Sequence, residues 1–331
     1  MDGRYYLIMT KSATVQDCEY PNQVPRDITV SVCMITYNHA AFIAQAIESV
    51  LMQKTDFPIE LCIGEDDSSD GTREICLEYA RKYPTIIRLF LRNEIDKTYI
   101  DGRKTGVSNF KETRASCSGR YVALLEGDDF WIDGNKLQRE YEFMERNPQW
   151  TICASRCVHW CEGGRSEIFP RFSLGNFASY INLLKVSVHP HTSTYFYRNQ
   201  YEFPGYLDAI IQADLAILLH LGKISGGIPI MTAVTSVYRI NSNGILSGES
   251  LRARRTVFLS FWKTYAAYAE GNALTLDAQI AKRHIRYLKF FNKYDGYGGV
   301  FGKMGRHFIS LFIFKEHFFS NVRGYLRKKI I

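Results

Sequence analysis

Short apolar runs alternate with stretches of helical periodicity through the first 150 residues. Ile28 to Thr36 is β-branched and apolar on both faces, the pattern of a central parallel strand. Tyr37-Asn38 ends it, and Asn38 is the expected N-cap of a helix in which Ile43, Ala46, Ile47, Val50 and Leu51 recur at helical spacing. Ile59 to Gly64 predicts a second strand. The acidic stretch Glu65-Asp66-Asp67-Ser68-Ser69-Asp70-Gly71-Thr72 follows, then a helical pattern to about Tyr83 and a third strand over Ile86 to Leu91. Strand and helix alternating at this rate predict a doubly wound α/β unit. Ligands bind beyond the carboxyl ends of the strands in such sheets, which sets Tyr37, Asp67, Arg92 and Asp128 along one rim.

Farther on, Ser108 to Ser118 reads as a helix closed by Gly119, and Lys136 to Arg146 as a helix ended by Asn147-Pro148. The pattern then becomes mixed. Strands are expected over Thr151 to Trp160, Thr192 to Tyr197 and Ile228 to Ile240, a helix over Asp208 to Leu221, and three helical segments from about Glu249 onward. The predicted organisation is an N-terminal extension over 1–26, an α/β domain over 27–250 and a basic helical region over 251–331.

Charge sharpens that division. Residues 251–331 hold 16 Lys and Arg against 4 Asp and Glu, whereas the rest of the chain holds 25 against 30, so the net +7 belongs to the C-terminal region. No run approaches the roughly 18 apolar residues of a membrane span, and the first 16 residues lack a signal-peptide pattern. Eight scattered cysteines suit a reducing compartment, so a cytoplasmic location is expected. Cys153, Cys157, His159 and Cys161 share one face of the predicted strand, but without a C-x-x-C pair they read as packing residues rather than a metal site.

The stretch Tyr121-Val-Ala-Leu-Leu-Glu126-Gly127-Asp128-Asp129-Phe130-Trp131 carries the clearest chemistry. A buried apolar strand stops at three carboxylates within four positions. Like charges that close repel and call for a counterion, and a hard oxygen-liganded cation, Mg2+ or Mn2+, fits better than zinc. Gly127 leaves room for close approach to the backbone.

Taken together, Ile35-Thr36-Tyr37-Asn38, the Glu65 to Thr72 stretch and Glu126-Gly127-Asp128-Asp129-Phe130-Trp131, in that order at strand ends, resemble glycosyltransferase family 2 over roughly residues 26–250. The resemblance implies a GT-A fold and an inverting, metal-dependent transferase that uses a nucleotide-sugar, with UDP-sugars the expected donors. It implies nucleotide contacts from Thr36, Tyr37 (base stacking), Asp67 (the uracil N–H), Arg92, Asn109 and Asp128. The D-x-D motif of the family corresponds to Glu126-Gly127-Asp128 with Asp129 beside it. Because the longer arm of Glu126 shifts it outward, Asp128 and Asp129 are the expected holders of the metal, with Glu126 as a third acid. Inversion needs one carboxylate base, matched by Asp214, with Asp208 in reserve. In a helix starting at Asp208, Asp214 lies within an apolar stripe, where an unpaired acid is costly without a role. His191 and Trp131 are expected on the acceptor and phosphate side. Tyr238-Arg239 resembles a segment that continues to a His in many members, but Asn241 and Ser242 stand here, and Arg239 is expected to pair structurally. The residues alone leave alternatives open: Asp67 as a turn residue, Asp214 as the cap of a helix starting at Leu215, and His191 as a packed histidine.

Residues 301–331 interleave Phe, Leu and Ile with seven Lys and Arg, which suits an amphipathic segment on an anionic membrane surface, where a lipid-linked acceptor would be met. No nucleic-acid motif accompanies the charge. Two rival functions remain. A sugar-1-phosphate nucleotidyltransferase would need a glycine-rich phosphate loop after the first strand, where Tyr37-Asn38-His39-Ala40 stands. A non-catalytic glycan-binding or assembly protein is the other.

Overall fold

A computed structural model describes residues 23–100, 102–161, 166–170, 175–185, 189–240 and 250–293. The strands are β1 (Val30–Thr36), β2 (Ile59–Glu65), β3 (Ile87–Leu91), β4 (Thr98–Ile100), β5 (Arg103–Thr105), β6 (Tyr121–Glu126), β7 (Phe130–Trp131), β8 (Ile152–Cys161), β9 (Glu167–Phe169), β10 (Phe177–Ser179), β11 (Tyr195–Arg198) and β12 (Gly227–Ile240). The helices are α1 (Ile43–Leu51), α2 (Thr72–Lys82), α3 (Val107–Ala115), α4 (Lys136–Arg146), α5 (Tyr180–Lys185), α6 (Ala213–Ile224), α7 (Leu251–Gly271) and α8 (Thr275–Lys293).

The main sheet runs β10-β12-β8-β11-β6-β1-β2-β3, and β4 with β5 forms a separate hairpin. β1 pairs in parallel with β2 on one side and β6 on the other, while β11 is antiparallel to β6. Alternation along the strands divides the core in two. Val32 and Met34 of β1 face α1, α2 and α4, whereas Cys33, Val122 and Leu124 face α5, α6, α7 and α8. The two C-terminal helices are therefore part of the same core, through Phe261, Trp262, Tyr265, Ile280 and Leu288. A buried polar knot adds to this: Asp277 Oδ2 accepts hydrogen bonds from Tyr180 (2.5 Å), Tyr265 (3.0 Å) and Lys223 (2.8 Å).

Several expected boundaries move. The strand expected over Thr192 to Tyr197 is a 3-10 turn over Thr192–Thr194 followed by β11. Asn38 does not cap α1, which starts at Ile43; Asn38 sits at φ 54° and its amide oxygen accepts the Ser69 N–H at 3.0 Å. The predicted helix from Asp208 is instead a 3-10 turn over Gly205–Ala209 followed by α6 from Ala213. Asp208 is exposed there and pairs with Lys111 at 2.6 Å. The N-terminal residues 1–22, Asn241 with Ser242, and the 301–331 tail fall outside the described residues.

Gly64 is where the sheet meets α3 most tightly. A Cβ there would lie 2.1 Å from Thr113 Oγ1 and 2.2 Å from Asn109 Oδ1, and Asn109 Nδ2 donates to the Gly64 carbonyl at 2.8 Å. Gly64→Ala must displace this network, so we expect a loss of about 1–3 kcal/mol, measured as a lower urea midpoint at unchanged slope; an unaltered midpoint would mean that α3 is free to shift.

Candidate functional site

The carboxyl ends of β1, β2 and β6 meet at a cleft of about 440 Å³. Two backbone bonds from β1 build its floor: the Thr36 carbonyl accepts the Asp66 N–H at 3.0 Å and the Ile35 carbonyl accepts the Gly127 N–H at 2.9 Å. Side chains fasten the loops to each other. Asp70 Oδ2 accepts the Ala40 N–H and Thr72 Oγ1 the His39 N–H, at 2.9 and 2.8 Å. Gly127 is required by closeness, since a Cβ would fall 2.6 Å from Thr36 Oγ1. Ser68, Asp70 and Thr72 thus hold the loops, which explains an acidic, hydroxyl-rich stretch in structural terms.

At one end of the cleft stand Glu126, Asp128, Asp129 and Asp214. Glu126 Oε2 is buried and has no hydrogen-bond partner among the described residues. Burial, with the nearby charges of Asp128 and Asp214, pushes its pKa up to about 8. Asp129 is also pushed well above the usual carboxylate range, by burial and by its two acidic neighbours. Asp129 is only 1% exposed; its Oδ1 accepts the Arg239 N–H at 2.9 Å, tying the β6–β7 turn to β12. Arg239 is itself held structurally, donating to the Asp128 carbonyl and the Gln45 side chain, with its guanidinium 4.3 Å from the centre of the Phe130 ring. Among the described residues, no three His, Cys, Asp or Glu side chains form a ready-made metal cluster.

Asp214 occupies the first turn of α6, half-buried, and its Oδ2 accepts a hydrogen bond from Thr192 Oγ1 at 3.0 Å. It faces the cleft rather than filling an apolar stripe, because the helix begins five residues later than the sequence pattern suggests. His191 lines the same end. Its ring stacks on Tyr238 at 4.0 Å, Nδ1 accepts the Ser193 N–H at 3.3 Å, and burial with the neighbouring His159 lowers its pKa to about 3. Burial thus favours its neutral imidazole form. Trp131 corrects the expectation of an acceptor contact: it is 1% exposed, and its Nε1–H donates to the Ser193 carbonyl at 2.9 Å, so it supports the His191 loop from the core.

Thr36 and His39 lie beside the acids, with His39 Nε2 3.9 Å from Asp128 Oδ2, and Tyr37, Asp66, Lys97, Lys104 and Asn109 line the rest of the cleft. Here the expected contacts shift. Asp67 adopts a left-handed backbone (φ 60°), lies 3.4 Å from Arg73, and is not among the lining residues, whereas Asp66 is. Arg92 is buried away from the cleft, 3.0 Å from Glu112 and within 3.4 Å of Asn109 Oδ1. Asn109 lines the cleft, but its amide is engaged by Gly64, Thr113 and Arg92. The Tyr37 ring carries Lys97 Nζ at 3.9 Å from its centre and Lys104 Nζ at 5.3 Å.

Sequence reading missed Lys97, Lys104, Asp66 and Gln212. Gln212 lines the cleft two residues before Asp214, 5% exposed, with neither side-chain nitrogen nor oxygen hydrogen-bonded among the described residues. Asp101-Gly102, a two-residue hairpin signal, was the available clue to the hairpin that presents the lysines.

A family model described as "Glycosyl transferase family 2" matches residues 31–201. An uncharacterized protein of Mycobacterium tuberculosis is 31% identical over 261 residues, 77% of this chain and 69% of that protein. A UDP-Glc:alpha-D-GlcNAc-diphosphoundecaprenol beta-1,3-glucosyltransferase of Escherichia coli is 38% identical over 121 residues, 37% of this chain and 43% of that one. Among solved structures, S. aureus TarS 1-349 in complex with UDP superposes with a TM-score of 0.52 at 14% identity, covering 82% of this chain and 73% of that one. A mannosyltransferase of Pyrobaculum calidifontis in complex with GDP-Man and Mn2+ gives 0.52 at 16%, covering 90% and 83%. At such identities the likeness is one of fold, and that fold is GT-A. With the matched segment spanning the loops after β1, β2 and β6, and a relative aligned over more than two thirds of both chains, the chain is a member of glycosyl transferase family 2.

Proposed function

We propose that the chain is an inverting, metal-dependent transferase that moves a sugar from a UDP-sugar to a hydroxyl of a glycan or lipid-linked acceptor in cell-surface polysaccharide synthesis. The observation that carries this reading is the convergence of Glu126, Asp128, Asp129 and Asp214, above all Glu126 Oε2 with no hydrogen-bond partner among the described residues, at one end of a cleft large enough for a nucleotide-sugar. The E. coli relative supports the UDP-sugar donor and a lipid-linked acceptor. The Bacillus subtilis minor teichoic acid biosynthesis protein GgaB, 29% identical over 163 residues, supports the surface-glycan setting, although the match spans 16% of that protein. No helix among the described residues is long and apolar enough to cross a membrane. The exposed Lys282, Arg283, Arg286 and Lys289 on α8 extend the basic character of the tail and favour attachment to an anionic inner membrane face.

The donor set is all oxygen, which fits Mg2+ or Mn2+. Asp128 and Glu126 are the side chains that would hold the ion, with the donor's phosphates completing the set; Asp129 backs them while anchoring Arg239. When bound, the ion supplies charge neutralisation on the departing diphosphate. Asp214 takes the acceptor hydroxyl's proton, oriented by the Thr192 hydroxyl. Removal of that proton as the new bond forms is what a single inverting displacement requires of the protein.

Three outcomes test this. With Mn2+ present, UDP is expected to raise the melting temperature, and Asp128→Asn to abolish the shift; no shift with UDP, GDP, dTDP or CMP would favour the non-catalytic binding reading. Asp214→Asn should lower kcat by about 100- to 10,000-fold with little change in donor KM, and a smaller loss would remove Asp214 from the role of base. The third concerns pH. A carboxyl whose pKa rises from 4.5 to about 8 on folding binds its proton more tightly in the native state. Without metal, stability should therefore fall as pH rises from about 5 to 8, by at most about 1.4 kcal/mol per unit. Glu126→Gln should flatten that slope. Mn2+ binding at pH 7 should release about one proton, read from calorimetry in buffers of different ionisation enthalpy; zero release would remove Glu126 from the metal.

A further inference from the structure

Gln212 has no part in the chemistry described so far. It is 5% exposed and lines the cleft two positions before Asp214, and neither its side-chain nitrogen nor its oxygen has a hydrogen-bond partner among the described residues. It also holds the N-cap position of α6 without capping the helix through its side chain, where Ser, Thr, Asp or Asn would steady the first turn. Leaving a buried amide unpaired costs stability, and here it presents one donor and one acceptor beside the base.

A second cavity, of about 210 Å³, adjoins the same turn. Val107, Phe110 and Ala213 line both it and the cleft, so the two spaces share a wall that ends one residue from Asp214. The rest of its lining is cationic and aromatic. Lys111 and Arg114 of α3 stand against one carboxylate, Asp208, which lies 2.6 Å from Lys111. Lys111 thus occupies Asp208, and Arg114 carries the surplus charge. Its guanidinium lies 4.5 Å from the centre of the Phe203 ring, with Pro204 and Leu207 adding apolar surface.

We propose that these two features together seat the acceptor: Gln212 holds hydroxyls of the sugar that attacks, and the cavity beyond Ala213 receives the diphosphate that joins this sugar to its lipid. This rests on the lipid-linked acceptor reading above and narrows it to a sugar diphosphate lipid. Chain geometry keeps Gln212 within about 7 Å of Asp214, Cα to Cα, so its amide reaches the ring whose hydroxyl gives its proton to Asp214. A neutral amide satisfies both its groups on a pair of hydroxyls, each of which donates and accepts. On a phosphate, which only accepts, its carbonyl would stay unpaired. The acceptor's own phosphates are in turn repelled by the acids on and after β6. Across Ala213 positive charge outweighs negative, the Arg114 fork suits phosphate oxygens, and Phe203 and Leu207 meet the first lipid carbons. Gln212, Lys111 and Arg114 are positioning residues, and the transfer itself is unchanged.

The test is transfer by the full chain with Mn2+, using UDP-glucose, UDP-galactose and their N-acetylamino counterparts as donors. The acceptors are synthetic phenoxyundecyl diphosphates of the same four sugars, each compared with its methyl glycoside. We expect a diphosphate lipid to be used with a KM at least about ten-fold below that of its methyl glycoside. Arg114→Gln should erase about ten-fold of that advantage, a hydrogen bond from a charged donor being removed, and Lys111→Gln, at an exposed position, a smaller part. Gln212→Leu should raise the acceptor KM about ten-fold for lipid and glycoside alike. Its melting temperature should equal or exceed that of the wild type, which separates recognition from folding. Equal KM values for lipid and glycoside, an advantage that survives both α3 variants, or transfer to no member of the panel by a chain that binds UDP would overturn the proposal. So would a Gln212→Leu chain whose acceptor KM is unchanged while its UDP-sugar affinity falls, which would put the amide on the donor. A wild type that binds no nucleotide would instead sink the transferase reading itself.

Discussion

The last two carbonyls of β1 govern this molecule. One receives the amide of Asp66 and the other the amide of Gly127, so both acidic loops hang from the end of a single central strand. Because β1 is hydrogen-bonded in parallel on both sides, its end cannot fray without breaking two ladders. The cleft inherits that rigidity. Its distinctive residues sit on turns, yet the turns begin where paired parallel strands end, and Gly127 permits a spacing that any side chain would forbid.

This also explains what could be read from the chain alone. The strands and α4 are legible because their apolar periodicity is decided locally, and β1, β6 and Lys136–Arg146 fall where the pattern puts them. The acid motifs are legible as a cluster but not as individual roles. Whether Asp66 or Asp67 faces the cleft depends on a left-handed turn at Asp67, a backbone choice that composition does not specify. Trp131 looked like a cleft-edge aromatic because it follows the acids. Pairing of β7 with β12 pulls it inward instead, a contact spanning a hundred residues. Lys97 and Lys104 had no local signal beyond a hairpin turn, since their meaning comes from the Tyr37 ring.

The burial of charge runs against stability at both ends of the cleft. Glu126 and Asp129 are pushed toward the protonated form by burial, and the Lys97 ammonium has no hydrogen-bond acceptor among the described residues. Apolar side chains at such positions are often the more stable choice. Elsewhere Lys136 sits 2.6 Å from Glu140 Oε1, and Glu60 gathers Ser31, Ser118 and Arg88. Among the buried carboxylate oxygens of the described residues, Glu126 Oε2 stands apart in having no partner.

That contrast has a thermodynamic consequence for the order of binding. If the acids hold a cation as proposed, donor and metal must each raise the other's affinity by the same factor. Protons compete for the same carboxylates, because a protonated Glu126 removes one charge that the ion would otherwise meet. On the proposed reading, a nucleotide-sugar would lie across the cleft with its diphosphate toward Glu126 and Asp128 and its sugar beside Asp214.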